Sequence, residues 1–294
     1  MSPLDLPPDL RSRLRGIAIA PRRPAMLGGA GVHASRNRGG GMEFAQYRAY
    51  EQGDEPRLID WKLYARSDKF FVRDAERESP VVIWMVIDAS ASMAQADLAR
   101  PEWSRFDAAR QLAACLMQIA LAQGDRFGLI VESAADPLIL APGSGARHRD
   151  RIALALARAT PAGAADWARH ANSLGERIGT ADVAIVLSDG FDEELIAMIE
   201  RLAASGRDLR LIRILTGDER DFPFDRGYRF RDAESGASLL GGSGQRDAFL
   251  ARFAAARAAL DTRLDARGIA HAEHFIDGRA DAPIARIAGG ARAR

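Results

Sequence analysis

Val81-Val82-Ile83-Trp84-Met85-Val86-Ile87-Asp88-Ala89-Ser90-Ala91-Ser92-Met93 joins an unbroken apolar run to a loop carrying one acid and two hydroxyls. Val81 to Ile87 has the length of a strand. Its lack of in-and-out alternation predicts a strand covered on both faces, as in a parallel sheet. A second run of the same kind, Val183-Ala184-Ile185-Val186-Leu187, ends in Ser188-Asp189-Gly190.

Around these two runs, strand and helix patterns alternate. Helical periodicity covers Arg105 to Gln123, Arg147 to Ala159, Trp167 to Arg177, Glu193 to Ala204 and Gln245 to Ala266. Strand patterns cover Arg126 to Val131, Pro137 to Leu140, Leu209 to Leu215 and Ile269 to Ile276, and a short C-terminal helix follows. Such alternation predicts an α/β fold with a doubly wound, mostly parallel sheet flanked by helices. The exception is the stretch from about 217 to 244, where Phe222-Pro223-Phe224 and a turn at Glu234-Ser235-Gly236 predict a hairpin-bearing excursion.

In open sheets of this class ligands gather beyond the carboxyl ends of the strands. Strands 81–87 and 183–187 can lie side by side, which would bring Asp88 and Asp189 to one rim with the hydroxyls of Ser90 and Ser92. Two carboxylates about 4 Å apart repel by roughly 4 kcal/mol at an effective dielectric of about 20, so the rim wants a cation or a proton. All-oxygen donors select a hard ion. Mg2+ suits one or two carboxylates with hydroxyls and water, and Mn2+ or Ca2+ would compete. The alternation of Asp88, Ser90 and Ser92 lets three side chains turn to one point. A purely local role, in which Asp88 and Ser90 cap the following turn, explains one loop but not both.

Asp-x-Ser-x-Ser after one apolar strand and Ser-Asp-Gly after a later one resembles the metal-ion-dependent adhesion site of von Willebrand factor type A domains. The resemblance implies Asp88, Ser90 and Ser92 as first-loop ligands and Asp189 as the late-loop aspartate. It also exposes a departure, because the family usually adds a threonine from a middle loop and Pro161-Ala162-Gly163-Ala164-Ala165-Asp166 has Ala165 there. Thr160 or Asp166 are the available substitutes; otherwise the site binds more weakly, takes an extra water, or has lost its ion.

A narrower resemblance rests on Gly41-Met42-Glu43-Phe44, on Tyr47-Arg48-Ala49-Tyr50-Glu51-Gln52-Gly53-Asp54-Glu55-Pro56-Arg57-Leu58-Ile59-Asp60-Trp61, on Ala65-Arg66, and on Phe222-Pro223-Phe224 with Phe230-Arg231-Asp232-Ala233-Glu234. These are similar to the bacterial family known as "domain of unknown function 58". That family implies an aromatic and arginine-rich segment before a von Willebrand type A domain, in bacteria that pair it with a MoxR-type AAA+ ATPase.

Composition bounds the rest. With 294 residues and 47% apolar content the chain can bury a large core, and 41 basic against 40 acidic side chains leave a formal charge of +1. That balance favours neither nucleic acid nor an anionic membrane as a partner. Cys115 shares one helix face with Leu112, Leu116 and Ile119, which predicts a core thiol and no disulfide framework. The run Val81 to Ile87 is far short of the roughly 20 residues of a membrane span. Asp5 and Asp9 stand where a signal peptide wants cations, so the cytoplasm is the expected compartment.

Three regions are expected: residues 1–40 as a flexible basic arm, 41–80 as a small β-rich subdomain, and 81–294 as the main domain. Proline, glycine and seven arginines without an acid between Asp9 and Glu43 suggest the arm. In the second region Arg48, Asp54, Arg57, Asp60 and Arg66 form a candidate charge network, with a binding surface of Trp61, Tyr64 and Arg66 as the sharper alternative.

The expected function is a non-enzymatic, metal-dependent adaptor serving a MoxR-type AAA+ ATPase and a client protein. A metal-assisted hydrolase is the alternative, weakened because none of His33, His148, His170, His271 or His274 lies by a strand end at the rim. Ser90 is outside any Gly-x-Ser-x-Gly turn, and no Walker loop, zinc spacing or dinucleotide fingerprint occurs. A nucleic-acid module would rest on the arginine arm alone.

Overall fold

The computed structural model describes residues 3–22, 46–50, 56–74, 80–224, 228–231, 236–241 and 243–288. The chain divides into two units, one of residues 1–26 with 81–294 and one of residues 27–80. The first element is the helix α1 (Pro8–Leu14); the second unit holds the strand β1 (Gln46–Ala49), the helix α2 (Trp61–Ser67) and the strand β2 (Phe71–Asp74). Back in the first unit follow β3 (Val82–Asp88), the short ribbon β4 (Ala96–Asp97) and β5 (Arg100–Ser104), α3 (Arg105–Gln123), β6 (Arg126–Glu132), β7 (Leu138–Gly143), α4 (Ala146–Arg158) and α5 (Trp167–Arg177). The remainder is β8 (Val183–Ser188), α6 (Glu193–Ala204), β9 (Asp208–Leu215), α7 (Gly217–Asp221), β10 (Tyr228–Arg231), β11 (Ser238–Gly241), α8 (Arg246–Ala266), β12 (Ala270–Phe275) and α9 (Asp281–Ile287).

Six strands form the main sheet in the order β12-β9-β8-β3-β6-β7. All neighbours run parallel except β7, which is antiparallel to β6. The chain enters at β3 in the middle, winds outward to β7, returns to β8 on the other side of β3, and winds outward again to β12. This is the expected doubly wound α/β architecture, and its topological switch point lies between β3 and β8.

Alternate residues of each strand feed two cores. Ile83, Met85 and Ile87 pack with Phe127, Leu129, Ile185 and Ile212 against α1, α3, α4 and α9, and Cys115 is buried in this layer. Trp84, Val86, Ile130, Val186 and Leu211 pack on the opposite face against α5 and α6. Polar side chains start the helices: Ser104 and Asp107 form a reciprocal capping box on α3, Asp166 caps α5, Asp192 caps α6, and Thr216 with Glu219 caps α7. No helix among the described residues is long and apolar enough to cross a membrane.

The start of the chain departs from the expected loose arm. Leu6, Leu10, Leu14 and Ile19 are buried in the α3 core layer. The Ile19 backbone exchanges two hydrogen bonds with the Gln123 side chain at 3.0 and 3.1 Å. Leu6, Leu10 and Leu14 recur every four residues, a one-sided helical stripe overshadowed by the prolines around it. Residues 23–45, which hold the glycine-rich part of the arm, lie outside the described residues.

Within the second unit β1 and β2 pair antiparallel, as a β-rich subdomain requires, but the segment between them also forms α2. Asp60 belongs to that helix, its carboxylate accepting from the Lys62 and Leu63 backbone N–H at 2.9 and 3.0 Å. Asp54 and the side chain of Arg48, both expected in a charge network with Asp60, lie outside the described residues. Trp61 is 59% exposed and meets Tyr64 and Phe70 edge-on. In the excursion after β9, β10 and β11 form the expected hairpin with α7 ahead of it. Glu234 and Ser235 of its expected turn lie outside the described residues.

One glycine in the core is fixed by a close approach. Gly128 sits in register with Trp84, and a Cβ there would lie 2.8 Å from the indole ring. Gly128→Ala is expected to cost about 1–3 kcal/mol of overpacking strain, seen as a lower urea midpoint with an unchanged slope.

Candidate metal centre

The two strands flanking the switch point end together. β3 and β8 pair in parallel up to Ile87 opposite Leu187, so Asp88 and Ser188 emerge side by side at the carboxyl edge. Asp88, only 1% exposed, accepts from the Ser90 backbone N–H at 2.8 Å through Oδ1 and from the Ser188 hydroxyl at 2.6 Å through Oδ2. A single turn of 3-10 helix, Ala91–Ala94, carries Ser92 and is pinned by the fully buried Met93. It leaves the Ser90 and Ser92 hydroxyl oxygens 3.1 Å apart. The loop is bonded to the middle loop, Ala91 N–H to Gly163 O at 2.7 Å and Ala162 N–H to Ala89 O at 2.9 Å.

Asp189 completes the rim from β8. Its Oδ1 accepts from the Phe191 N–H at 3.2 Å, and its Oδ2 lies 3.1 Å from Arg105 Nη1. Gly190, at φ +74°, is needed twice: for that backbone conformation, and because a Cβ would sit 3.0 Å from Arg213 Cγ. The four residues expected at the rim, Asp88, Ser90, Ser92 and Asp189, therefore occupy one edge of the sheet.

Arg105 was not anticipated as part of this site. It opens α3, is 1% exposed, donates from Nη1 to the Ser92 carbonyl at 3.1 Å, and pairs through Nη2 with Glu219 of α7. Glu219 is itself held by the Thr216 backbone and hydroxyl at 2.8 and 3.0 Å. The sequence did hold one signal. A cation in the first turn of a helix runs against the helix dipole, so Arg105 directly after the Ser104 cap needed a carboxylate partner from elsewhere.

One expectation about a neighbouring group is corrected. His170 does reach the rim, since α5 places its Nδ1 2.7 Å from Oε1 of Glu132, the residue that ends β6 in register with Asp88. In the middle loop Ala165 is buried, Thr160 is exposed, and Asp166 caps α5, its Oδ1 accepting from the Arg169 N–H at 3.0 Å.

Asp88, Asp189 and Glu219 against Arg105 leave two negative charges uncancelled in a buried cluster. Burial pushes the Asp88 carboxyl up to about 6; the nearby Asp189 charge adds to this and the Ser188 hydrogen bond opposes it. At neutral pH Asp88 is still mostly ionised. A divalent ion would balance the cluster. The Ser90 and Ser92 hydroxyls are hydrogen-bonded to each other at 3.1 Å, a spacing that would need little change to become one edge of an octahedral Mg2+ shell, about 3.0 Å for bonds of about 2.1 Å. No three acidic, histidine or cysteine side chains among the described residues form an ion-holding group by themselves. An ion here would rest on Asp88 and the two hydroxyls, with Asp189 acting through its charge or a bridging water because Arg105 takes its Oδ2. The donor set fits Mg2+ in that form.

Residues 46–263 match the family model described as protein of unknown function DUF58. An uncharacterized protein of Mycobacterium bovis is 26% identical over 234 residues, covering 78% of this chain and 72% of that protein. Among solved structures, the conserved hypothetical protein BatB from Bacteroides thetaiotaomicron is 15% identical with a TM-score of 0.45, covering 70% of this chain and 95% of that one. The SpRpn10 VWA domain is 20% identical with a TM-score of 0.35, covering 46% of this chain and 76% of that one.

The raised Asp88 pKa makes a signed prediction about stability. The folded carboxyl binds its proton more tightly than the unfolded one, so its ionisation withdraws stability as pH rises from about 4 to about 6, up to roughly 3 kcal/mol in all. With divalent ions chelated, Asp88→Asn is expected to gain on the parent chain in urea melts at pH 7.5, and to gain much less at pH 4.5. An equal difference at both pH values would show that Asp88 is not the titrating load.

Proposed function

We propose that this chain, which belongs to the DUF58 family of proteins of unknown function, is a non-enzymatic protein-binding module whose docking face is the rim beyond β3 and β8. Mg2+ held by Asp88, Ser90 and Ser92, with the charge of Asp189 behind it, completes that face. The observation that carries this reading is the meeting of Asp88, Ser90, Ser92, Ser188 and Asp189 at the switch point of the sheet with two negative charges unbalanced. Bound there, the ion would offer a free coordination position to a carboxylate of the partner. Ser188 and the Ser90 backbone hold the Asp88 carboxylate in place, and Arg105 keeps the late loop fixed against the first. Phe191, 55% exposed beside Asp189, supplies apolar contact area next to the charged point. Following the pairing implied by the family resemblance, the partner we assign is a MoxR-type AAA+ ATPase together with a client protein.

A metal-assisted hydrolase is a second reading, and it gains a basic group from His170 near the rim. Against it, His170 is nearly buried and one ring nitrogen is already committed to Glu132. Mg2+-dependent hydrolysis of simple phosphate or carboxylic esters, lost in His170→Gln, would favour the hydrolase over the adaptor.

Calorimetric titration of the full chain with Mg2+ should give one site, absent in Asp88→Ala and at least roughly ten-fold weaker in Ser90→Ala. Binding of the purified ATPase should need the divalent ion and vanish with chelator. Failure of millimolar Mg2+ to bind or to raise the melting temperature would remove the ion from the reading; ATPase binding indifferent to Asp88→Ala would remove the rim.

A further inference from the structure

We propose that Glu132 is a further member of the rim: its free carboxylate oxygen is the donor, directly or through one water, that stands in for the hydroxyl the middle loop lacks. The inference rests on the metal reading above and extends it to a residue outside the Asp-x-Ser-x-Ser and Ser-Asp-Gly patterns.

Register is the first support. Glu132 pairs with Asp88 across β6 and β3, and Asp88 is bonded to Ser188 across β3 and β8. In-register side chains of neighbouring parallel strands point to the same face, with strands about 4.8 Å apart. Glu132, Asp88 and Ser188 thus stand abreast at the carboxyl edge, one layer above Ile130, Val86 and Val186, which are all apolar and buried.

The second support is an oxygen left over. Glu132 is 0% exposed; Oε1 is taken by His170, while Oε2 is buried with no hydrogen-bond partner. A buried carboxylate oxygen without a donor is unfavourable, and neither core packing nor helix capping accounts for it here. A cation or its bound water beside Asp88 would.

Position is the third. His170 lies in the first turn of α5, immediately after the middle loop that is bonded to the Asp88–Ser92 loop. The Glu132–His170 pair therefore sits on the side of the site where Ala165 replaces the usual threonine. His170 acts on this view as a positioning residue that orients the carboxylate and leaves Oε2 free, in the way outer partners orient metal ligands.

Mn2+ binding followed by electron paramagnetic resonance on the intact chain tests this without any activity assay. Glu132→Gln should bind Mn2+ roughly ten-fold or more weakly while its metal-free melting temperature stays level or rises, since the amide keeps an acceptor for His170 and removes a buried carboxylate with one unbonded oxygen. Ala165→Thr placed in the Glu132→Gln background should recover most of the affinity, and should add little to the parent chain. Should Glu132→Gln fail to fold, Glu132→Asp keeps the charge but draws it back by one methylene, and weaker Mn2+ binding is again expected. Parent-like affinity in a folded Glu132→Gln or Glu132→Asp chain overturns the inference and leaves the metal site standing. A parent chain that binds no Mn2+ overturns both.

Discussion

One buried guanidinium organises the rim. Arg105 reaches from the start of α3 to the Asp189 carboxylate, the Ser92 carbonyl and Glu219, joining two strand-end loops and α7 at a single point. Taking a guanidinium and two carboxylates out of water is costly, and such clusters contribute little net stability compared with a well-packed apolar substitute. What the arrangement secures is geometry. Without Arg105, Asp189 and Glu219 would be two acids in the same neighbourhood as Asp88 with no cation between them, and the late loop would be tied to the first only through the Ser188–Asp88 bond.

The rim is also the end of a polar layer that crosses most of the sheet. Glu132, Asp88, Ser188, Arg213 and Glu273 lie at one height on successive strands β6, β3, β8, β9 and β12, linked by register or by direct bonds. Below it Ile130, Val86, Val186 and Leu211 are apolar and buried, and only β12 puts a polar side chain, His271, in that row, so on four of the five strands the change from oil to charge occurs within one layer. The same layer holds α8. That helix buries only Leu264, yet Arg213 pairs with Asp261, Arg257 with Glu273, and Arg263 with Glu200. Rim and α8 therefore share a support, and the Arg213 side chain lies directly beneath Gly190 of the Ser-Asp-Gly turn.

Much of this was legible in the chain itself. Unbroken apolar runs marked β3 and β8, because a strand covered on both faces has no solvent side to encode; the polar residues following each run marked where they surface together. The rest was hidden for definable reasons. Arg105 and Glu132 are single charged residues whose partners lie far away in sequence, Asp189 and Glu219 for one and His170 for the other, so no local spacing betrays them. The α1 stripe of Leu6, Leu10 and Leu14 was visible as periodicity but sat among prolines that argue for a loop. α2 was obscured in another way: its aromatics, Trp61 and Tyr64, carry β propensity, and the Asp60 cap decided the outcome instead.

The energetics of Asp88 weigh on whether the rim serves structure or function. A carboxylate kept solely for stability is one whose surroundings favour the ionised form, as Arg263 does for Glu200 and Arg257 does for Glu273. Asp88 is the reverse case. Two donors reach it, yet burial and the neighbouring Asp189 still raise its pKa, so the folded protein is strained by the very charge it carries at neutral pH. A serine, asparagine or alanine would close the β3 edge at lower cost. Groups whose ionised form destabilises the fold are characteristic of functional sites, and at this rim the loop that follows Asp88 carries two further polar groups, the hydrogen-bonded Ser90 and Ser92 hydroxyls.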